Sequence, residues 1–189
     1  MKKIMFKDQF GLTQAVLEGR KTQTRRIVSC KLINEFGLNK FNDKSFEIIQ
    51  HANYKIGEIV AVAQTYKDAG VPEDFVAEML EPQAQFTKGW NNKMFVKAWL
   101  LPNRIRITDI KVERMQEISN EDCLKEGVIH YDDIIGEGYM LAEPYNNSYR
   151  RHCFTTPRKA FATLIDKVSG KGTWESNPWV FVYEFELVK

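Results

Sequence analysis

The chain is poor in the residues from which disulfide frameworks and metal centres are built. It has three cysteines and three histidines in 189 residues. Cys30, Cys123 and Cys153 stand far apart, their number is odd and no CxxC spacing occurs. This excludes a disulfide-stapled domain and points to reduced thiols in a cytoplasm-like compartment. His51, His130 and His152 show no HxxxH spacing, so no metal is expected, and "HYDD" at 130–133 reads as a polar loop. No cofactor is implied, since "SGKGTW" is too short for a phosphate-cradling loop and reads as a helix-ending turn. No apolar run approaches the ~20 residues of a membrane span. "MKKIMF" begins as a signal peptide would, but "KDQ" follows at once and no apolar h-region develops. The expectation is a cytoplasmic protein outside the membrane. Excess charge is also lacking. The formal net charge is +2, so any nucleic-acid binding must come from a local patch.

Material for a core is present: 43% of residues are hydrophobic and 12% aromatic. The length fits a single domain over 1–189, with loop insertions at about 29–53, 67–93 and 128–156. "KKIMF" reads as a short strand. Leu12, Ala15 and Val16 have helical spacing, and Gly19 stands where a glycine would end that helix. Thr22 to Val28 alternates as a strand, and Ile59 to about Tyr66 reads as a buried one. "VPEDFVAEML" starts a helix, and Met94 to Trp99 is expected to be a strand. In Arg104 to Arg114 the apolar alternation slips by one step, which predicts a β-bulge near Thr108 and Asp109. "ISNEDCLKEG" is a short helix capped by Ser119 and ended by Gly127. "TPRKAFATLIDKVSG" is a longer one, with Thr156 as cap and Pro157 in the first turn. "NPWVFVYEFELV" closes the chain as a core strand. Short strands with interspersed helices, few in βαβ order, predict α+β with a curled mixed sheet or small β-barrel and flanking helices.

The most distinctive stretch is "GRKTQTRR", residues 19–26, with four cations and two threonines in a helix-to-strand connection. A basic run after a helix C-terminus is favoured by the macrodipole alone, so a solvated turn is one explanation. The segments "AVLEGRKTQTRRIV", "IGEIVAV", "RITDIKVERMQEISNEDCLKEG" and "NPWVFVYEFELV" occur in the order expected of the ASCH domain family. The chain resembles the longer bacterial and phage-borne members of that family, which belongs to the PUA-like superfamily. The resemblance implies a PUA-like β-barrel whose cleft binds RNA. One branch is similar to an amidohydrolase that removes the acetyl group of N4-acetylcytidine. Its lysine, threonine and glutamate correspond to Lys21, Thr24 and Glu126. Where long members carry an Arg-Glu pair after the "G-D/E-x-L" turn, this chain has Ala63 and Gln64, which implies a pocket of different charge.

Amide hydrolysis needs a nucleophile, a base, charge stabilisation and an acid for the leaving amine. Fixed positive charge from Arg20, Arg25 and Arg26 would lower the pKa of Lys21 and let it act as a base. Thr24 would then be nucleophile or its activator, and Glu126 the proton shuttle. Glu126 falls at a helix C-terminus, where the macrodipole disfavours a carboxylate by about 0.3–1 kcal/mol. Lys21 and Thr24 are three apart and would face opposite sides of a regular strand. The trio therefore requires Lys21 to belong to the turn. Without turnover, Arg20, Lys21, Arg25 and Arg26 would serve RNA or a modified nucleoside. A second basic cluster, Arg150, Arg151, Arg158 and Lys159, crowds a helix N-terminus and would suit a nucleic-acid backbone. Trp90, Trp174, Tyr145 and Tyr149 offer stacking faces, with core packing the simpler role for Trp174. Three functions remain open: RNA or modified-nucleoside binding, deacetylation of an N4-acylated cytidine, and a protein-interaction module of phage or mobile-element origin.

Overall fold

The computed structural model describes residues 1–37, 45–79, 84–133, 136–141 and 153–188. The chain forms β1 (Lys3–Ile4), α1 (Leu12–Leu17), β2 (Gln23–Ile27), α2 (Cys30–Phe36), α3 (Ser45–Ile49) and β3 (Ile59–Val62). α4 (Glu73–Met79), α5 (Ala84–Asn91), β4 (Arg104–Arg114), α6 (Asn120–Lys125), β5 (Val128–Asp133) and β6 (Gly136–Leu141) follow. α7 (Pro157–Ser169), α8 (Thr173–Ser176) and β7 (Trp179–Val188) complete it. The fold is α+β.

Five strands form one mixed sheet in the order β1-β3-β4-β7-β2. Only β1 and β3 run parallel; the other pairings are antiparallel. The register of β4 on β7 shifts between Ile107 and Asp109, where the slip in the apolar pattern predicts a bulge. β4 and β7 form the spine of the molecule. Val180, Phe181, Val182 and Tyr183 are all buried, so β7 is covered on both faces over that stretch. Helix α7 packs Ala160, Phe161, Leu164 and Ile165 into the main core. A smaller core forms where residues 66–76 and 96–101 pack on β3, around Tyr66, Val76, Val96 and Leu101. Gly89 makes this closure possible, because a Cβ there would meet the Tyr66 ring at 2.4 Å.

Four expectations are corrected. Among the described residues the sheet is open rather than barrel-like: β1 and β2 are its edges and do not pair with each other. Met94 to Trp99 is not a strand but part of two 3₁₀ turns, Lys93–Phe95 and Ala98–Leu100. The Asn92 side chain accepts from the Met94 N–H, and the Lys3 ammonium takes the carbonyls of Lys93, Met94 and Val96. The backbone groups that would enter a ladder are thus engaged. The third concerns 128–141, expected as loop and "HYDD" with it. It contains the antiparallel hairpin β5–β6, with Val128 paired to Leu141 and both buried. The strand expected to run to Tyr66 also stops at Val62. Beyond it, the Thr65 hydroxyl accepts from the Asp68 N–H and starts a turn.

Candidate functional site

Local sequence fixes the turn that carries Lys21. Helix α1 ends at Glu18, and Gly19 follows with φ of 74°, a left-handed conformation suited to glycine. The Lys21 N–H donates to Ala15 O and the Thr22 N–H to Lys125 O, which ties the turn to both α1 and α6. Strand β2 begins only at Gln23. Lys21 therefore lies in the turn, as the trio requires.

Helix α6 supplies the carboxylates. Ser119 caps it by accepting from the Asp122 N–H, and its C-cap is Glu126. Gly127 follows at φ 103°, and a Cβ there would lie 3.3 Å from a Leu12 methyl and 3.7 Å from the Lys21 stem. This glycine makes room for the lysine beside it. The Lys21 ammonium donates to Glu126 Oε2 at 2.6 Å, to Glu126 O at 2.8 Å and to Gln23 O at 2.7 Å. All three donor positions are used. The two side chains are 2% and 6% exposed, so the pair is almost fully withdrawn from water.

Arg25 completes the arrangement. Its guanidinium donates to the other Glu126 oxygen at 3.1 Å, to the Gln23 side chain at 2.6 Å and to Glu113 at 2.6 Å. Asp122 lies 3.4 Å away. Lys111 of β4 pairs with Glu113 and Asp122 at the rim. Three cations, Lys21, Arg25 and Lys111, thus meet three carboxylates, Glu113, Asp122 and Glu126.

The electrostatics follow from burial and pairing. Burial pushes the Lys21 amine below the ordinary lysine range, against the opposing pull of Glu126, and Arg26 and Arg25 push the same way as burial. For Asp122, partial burial favours the neutral acid. Lys111 and Arg25, with the Gln23 amide, outweigh it and hold the carboxyl below its usual range. Cys123 sits under the network, where burial pushes its thiol up to about 12.

Thr24 is buried at 5% exposure, and among the described residues no hydrogen bond joins it to Lys21 or Glu126. By strand alternation it shares a face with Arg26, opposite Gln23 and Arg25. The Phe6 ring links the two sides, with the Lys21 ammonium 5.7 Å and the Arg26 guanidinium 5.8 Å from its centre.

The cationic residues proposed for nucleic acid are distributed differently. Arg20 is exposed and pairs with Glu18 at 2.5 Å. Arg26 donates to Met5 O. Arg158 donates to the carbonyls of Ile118 and Gln116 and lies over Trp174, itself packed on Phe161. Lys159 is exposed, with Thr155 as its partner. Arg150, Arg151, His152, Tyr145 and Tyr149 lie outside the described residues. Gln64, standing where the resemblance expects an acid, accepts from the Asn103 amide. Gln23, Lys111, Glu113 and Asp122 were not singled out by sequence. Two signals were available: Asp122 and Glu126 are four apart on a helix, and Lys111 and Glu113 share a strand face. Among the described residues no group of His, Cys, Asp and Glu is arranged to hold a metal ion, and no helix is long and apolar enough to cross a membrane.

No family model, curated protein or solved structure matches this chain.

Proposed function

We propose that the protein hydrolyses an amide on a small modified nucleoside, of the N4-acylated cytidine type, at Lys21, Thr24 and Glu126. The observation that carries this is the buried Lys21–Glu126 pair, in which an amine held below its ordinary pKa touches a carboxylate at 2.6 Å. Such a pair is suited to moving a proton. In its deprotonated form Lys21 takes a proton from a water that attacks the carbonyl carbon, the C–N bond breaks, and the proton passes through Glu126 to the leaving amine. Where Thr24 attacks instead, the acyl group passes to its oxygen and a water deprotonated by Lys21 then hydrolyses that ester. The products are the carboxylate and cytidine. Arg25 fixes the second Glu126 oxygen and so sets the direction of the first. The strand order and β4 bulge are read, in this proposal, as an ASCH-type variant of the PUA-like arrangement. No disulfide joins Cys30, Cys123 and Cys153, which favours a reducing, cytoplasmic setting.

Extended RNA held on the 20–26 run is less well supported. Its two central cations, Lys21 and Arg25, are buried and neutralised, and so cannot neutralise backbone phosphates. A second possibility, that this site binds RNA or a modified nucleoside without turnover, is favoured by one observation. Thr24 makes no hydrogen bond to Lys21.

The test is cytidine release from N4-acetylcytidine, followed by chromatography, with Lys21→Ala and Thr24→Ala alongside. Release by the native protein that falls about 10²-fold or more in both variants supports hydrolysis. Binding of the nucleoside without release supports the second possibility. RNA binding that weakens steeply with salt would favour a backbone interface instead.

A further inference from the structure

We infer that the open trough between β1 and the 96–99 segment is a docking surface for an acidic, apolar peptide segment of a partner protein. It lies away from the Lys21–Glu126 pair and does not depend on the hydrolytic proposal. The trough has a volume of about 610 Å³, with Tyr54 on one side and Val96, Ala98 and Trp99 on the other. Lys2, Lys3 and Lys97 line it, and among the described residues no carboxylate does.

Its walls are preorganised. The Lys3 ammonium ties the 93–96 backbone to β1 through three carbonyls, at 3.4, 2.6 and 2.9 Å. The Tyr66 hydroxyl accepts from the Lys97 N–H at 2.7 Å. Val96, Leu100 and Leu101 are buried in the smaller core. Opposite, the Tyr54 hydroxyl donates to Lys3 O, and the Lys2 ammonium lies 5.8 Å above its ring. Between these fixed points Trp99 is left 51% exposed, and the same segment exposes Met94 and Phe95. A large aromatic side chain held in solvent on a rigid backbone loses little entropy on binding, which is the property of a hot-spot residue.

Charge decides the kind of partner. Lysines without lining carboxylates favour an acidic ligand. Yet Lys2 is paired with Glu58, and Lys3 is engaged with backbone carbonyls. Lys97 is exposed and supplies most of the available positive charge. That is too little to neutralise a run of phosphates, whereas an aromatic and a lysine suit one apolar side chain next to an acid. The trough is also open, unlike the enclosed sites that bury most of a small molecule.

The experiment is selection of a random peptide display library on the immobilised full chain, with affinities of the recovered peptides measured by fluorescence anisotropy. Trp99→Ala and Lys97→Glu serve as variants, with circular dichroism to confirm their folding. The expected peptides place an acid beside an apolar residue. They lose about tenfold or more in affinity to Trp99→Ala. Lys97→Glu weakens them, and exchanging the peptide acid for lysine restores binding to that variant. Neither variant touches Lys21, Thr24 or Glu126, so cytidine release is unchanged by both. Failure to enrich such peptides, or binding indifferent to Trp99→Ala, overturns the inference. So does a single-stranded oligonucleotide whose binding is lost in Trp99→Ala, since it would make the trough a nucleic-acid site.

Discussion

Lys21 and Glu126 meet from 105 residues apart, each with a partner for almost every polar atom. Breaking such a pair leaves a buried charge without its counter-ion, which costs about 3–5 kcal/mol. Lys21→Met and Glu126→Gln are each expected to lose about that much in urea denaturation. The double variant should lose less than the sum, with a coupling of about 0.5–3 kcal/mol. The pH dependence has two parts. The Lys21 amine is depressed in the folded chain, so between its folded value and the ordinary ~10.4 the unfolded chain binds more protons. Stability therefore rises with pH through that window, and Lys21→Met removes the rise. The Asp122 carboxyl is also depressed, so its contribution is present above the ordinary 3.8 and is lost as pH falls through its folded value. Denaturation midpoints across pH, with Asp122→Asn for comparison, test both signs. The lysine, threonine and glutamate were legible as a motif. Their charge state was not, because Glu113 and Asp122 reach the site from elements remote in sequence.

Helix α6 is only six residues long, too short to be stable by propensity, so its ends decide where Asp122 and Glu126 stand. Ser119→Ala should cost about 0.5–2 kcal/mol in stability. Gly127→Ala forces a left-handed backbone and a 3.3 Å contact with Leu12. It should cost more than about 1 kcal/mol and shift the Glu126 carbonyl that accepts from Lys21. Chemical denaturation of both variants measures these losses. Caps of this kind were legible: Ser119, Thr156 and Pro157 occupy the expected positions. The 94–99 segment was not. Its apolar residues resemble a strand, and what prevents one is the Lys3 ammonium, donated from β1 across some ninety residues. The β5–β6 hairpin was hidden by its polar residues, since among the described residues only Val128 and Leu141 at its base reach the main core as buried side chains.

At the scale of the molecule, β3 joins the two cores, with Val60 and Val62 in the larger and Ala61 in the smaller, and α6 is held against the turn after α1. The α+β class and the bulge followed from alternation. Closure of the sheet did not, since pairing between its edge strands is a tertiary matter that local pattern does not encode. Cys123 lies inside this assembly with its thiol pushed up to about 12, while Cys30 and Cys153 are exposed. A thiol reagent at neutral pH should titrate two groups in the native protein and the third only after unfolding. Rapid reaction of all three would mean that the network above Cys123 opens readily.

The central claim is that burial holds Lys21 as a proton acceptor rather than as a fixed structural cation. Side-chain NMR of Lys21 across pH, in native protein and in Thr24→Ala, tests it most directly. The account predicts a Lys21 amine that titrates below the ordinary lysine range in both proteins. A Lys21 that stays protonated above the ordinary lysine range would make the pair a structural ion pair, and would contradict its role as a base.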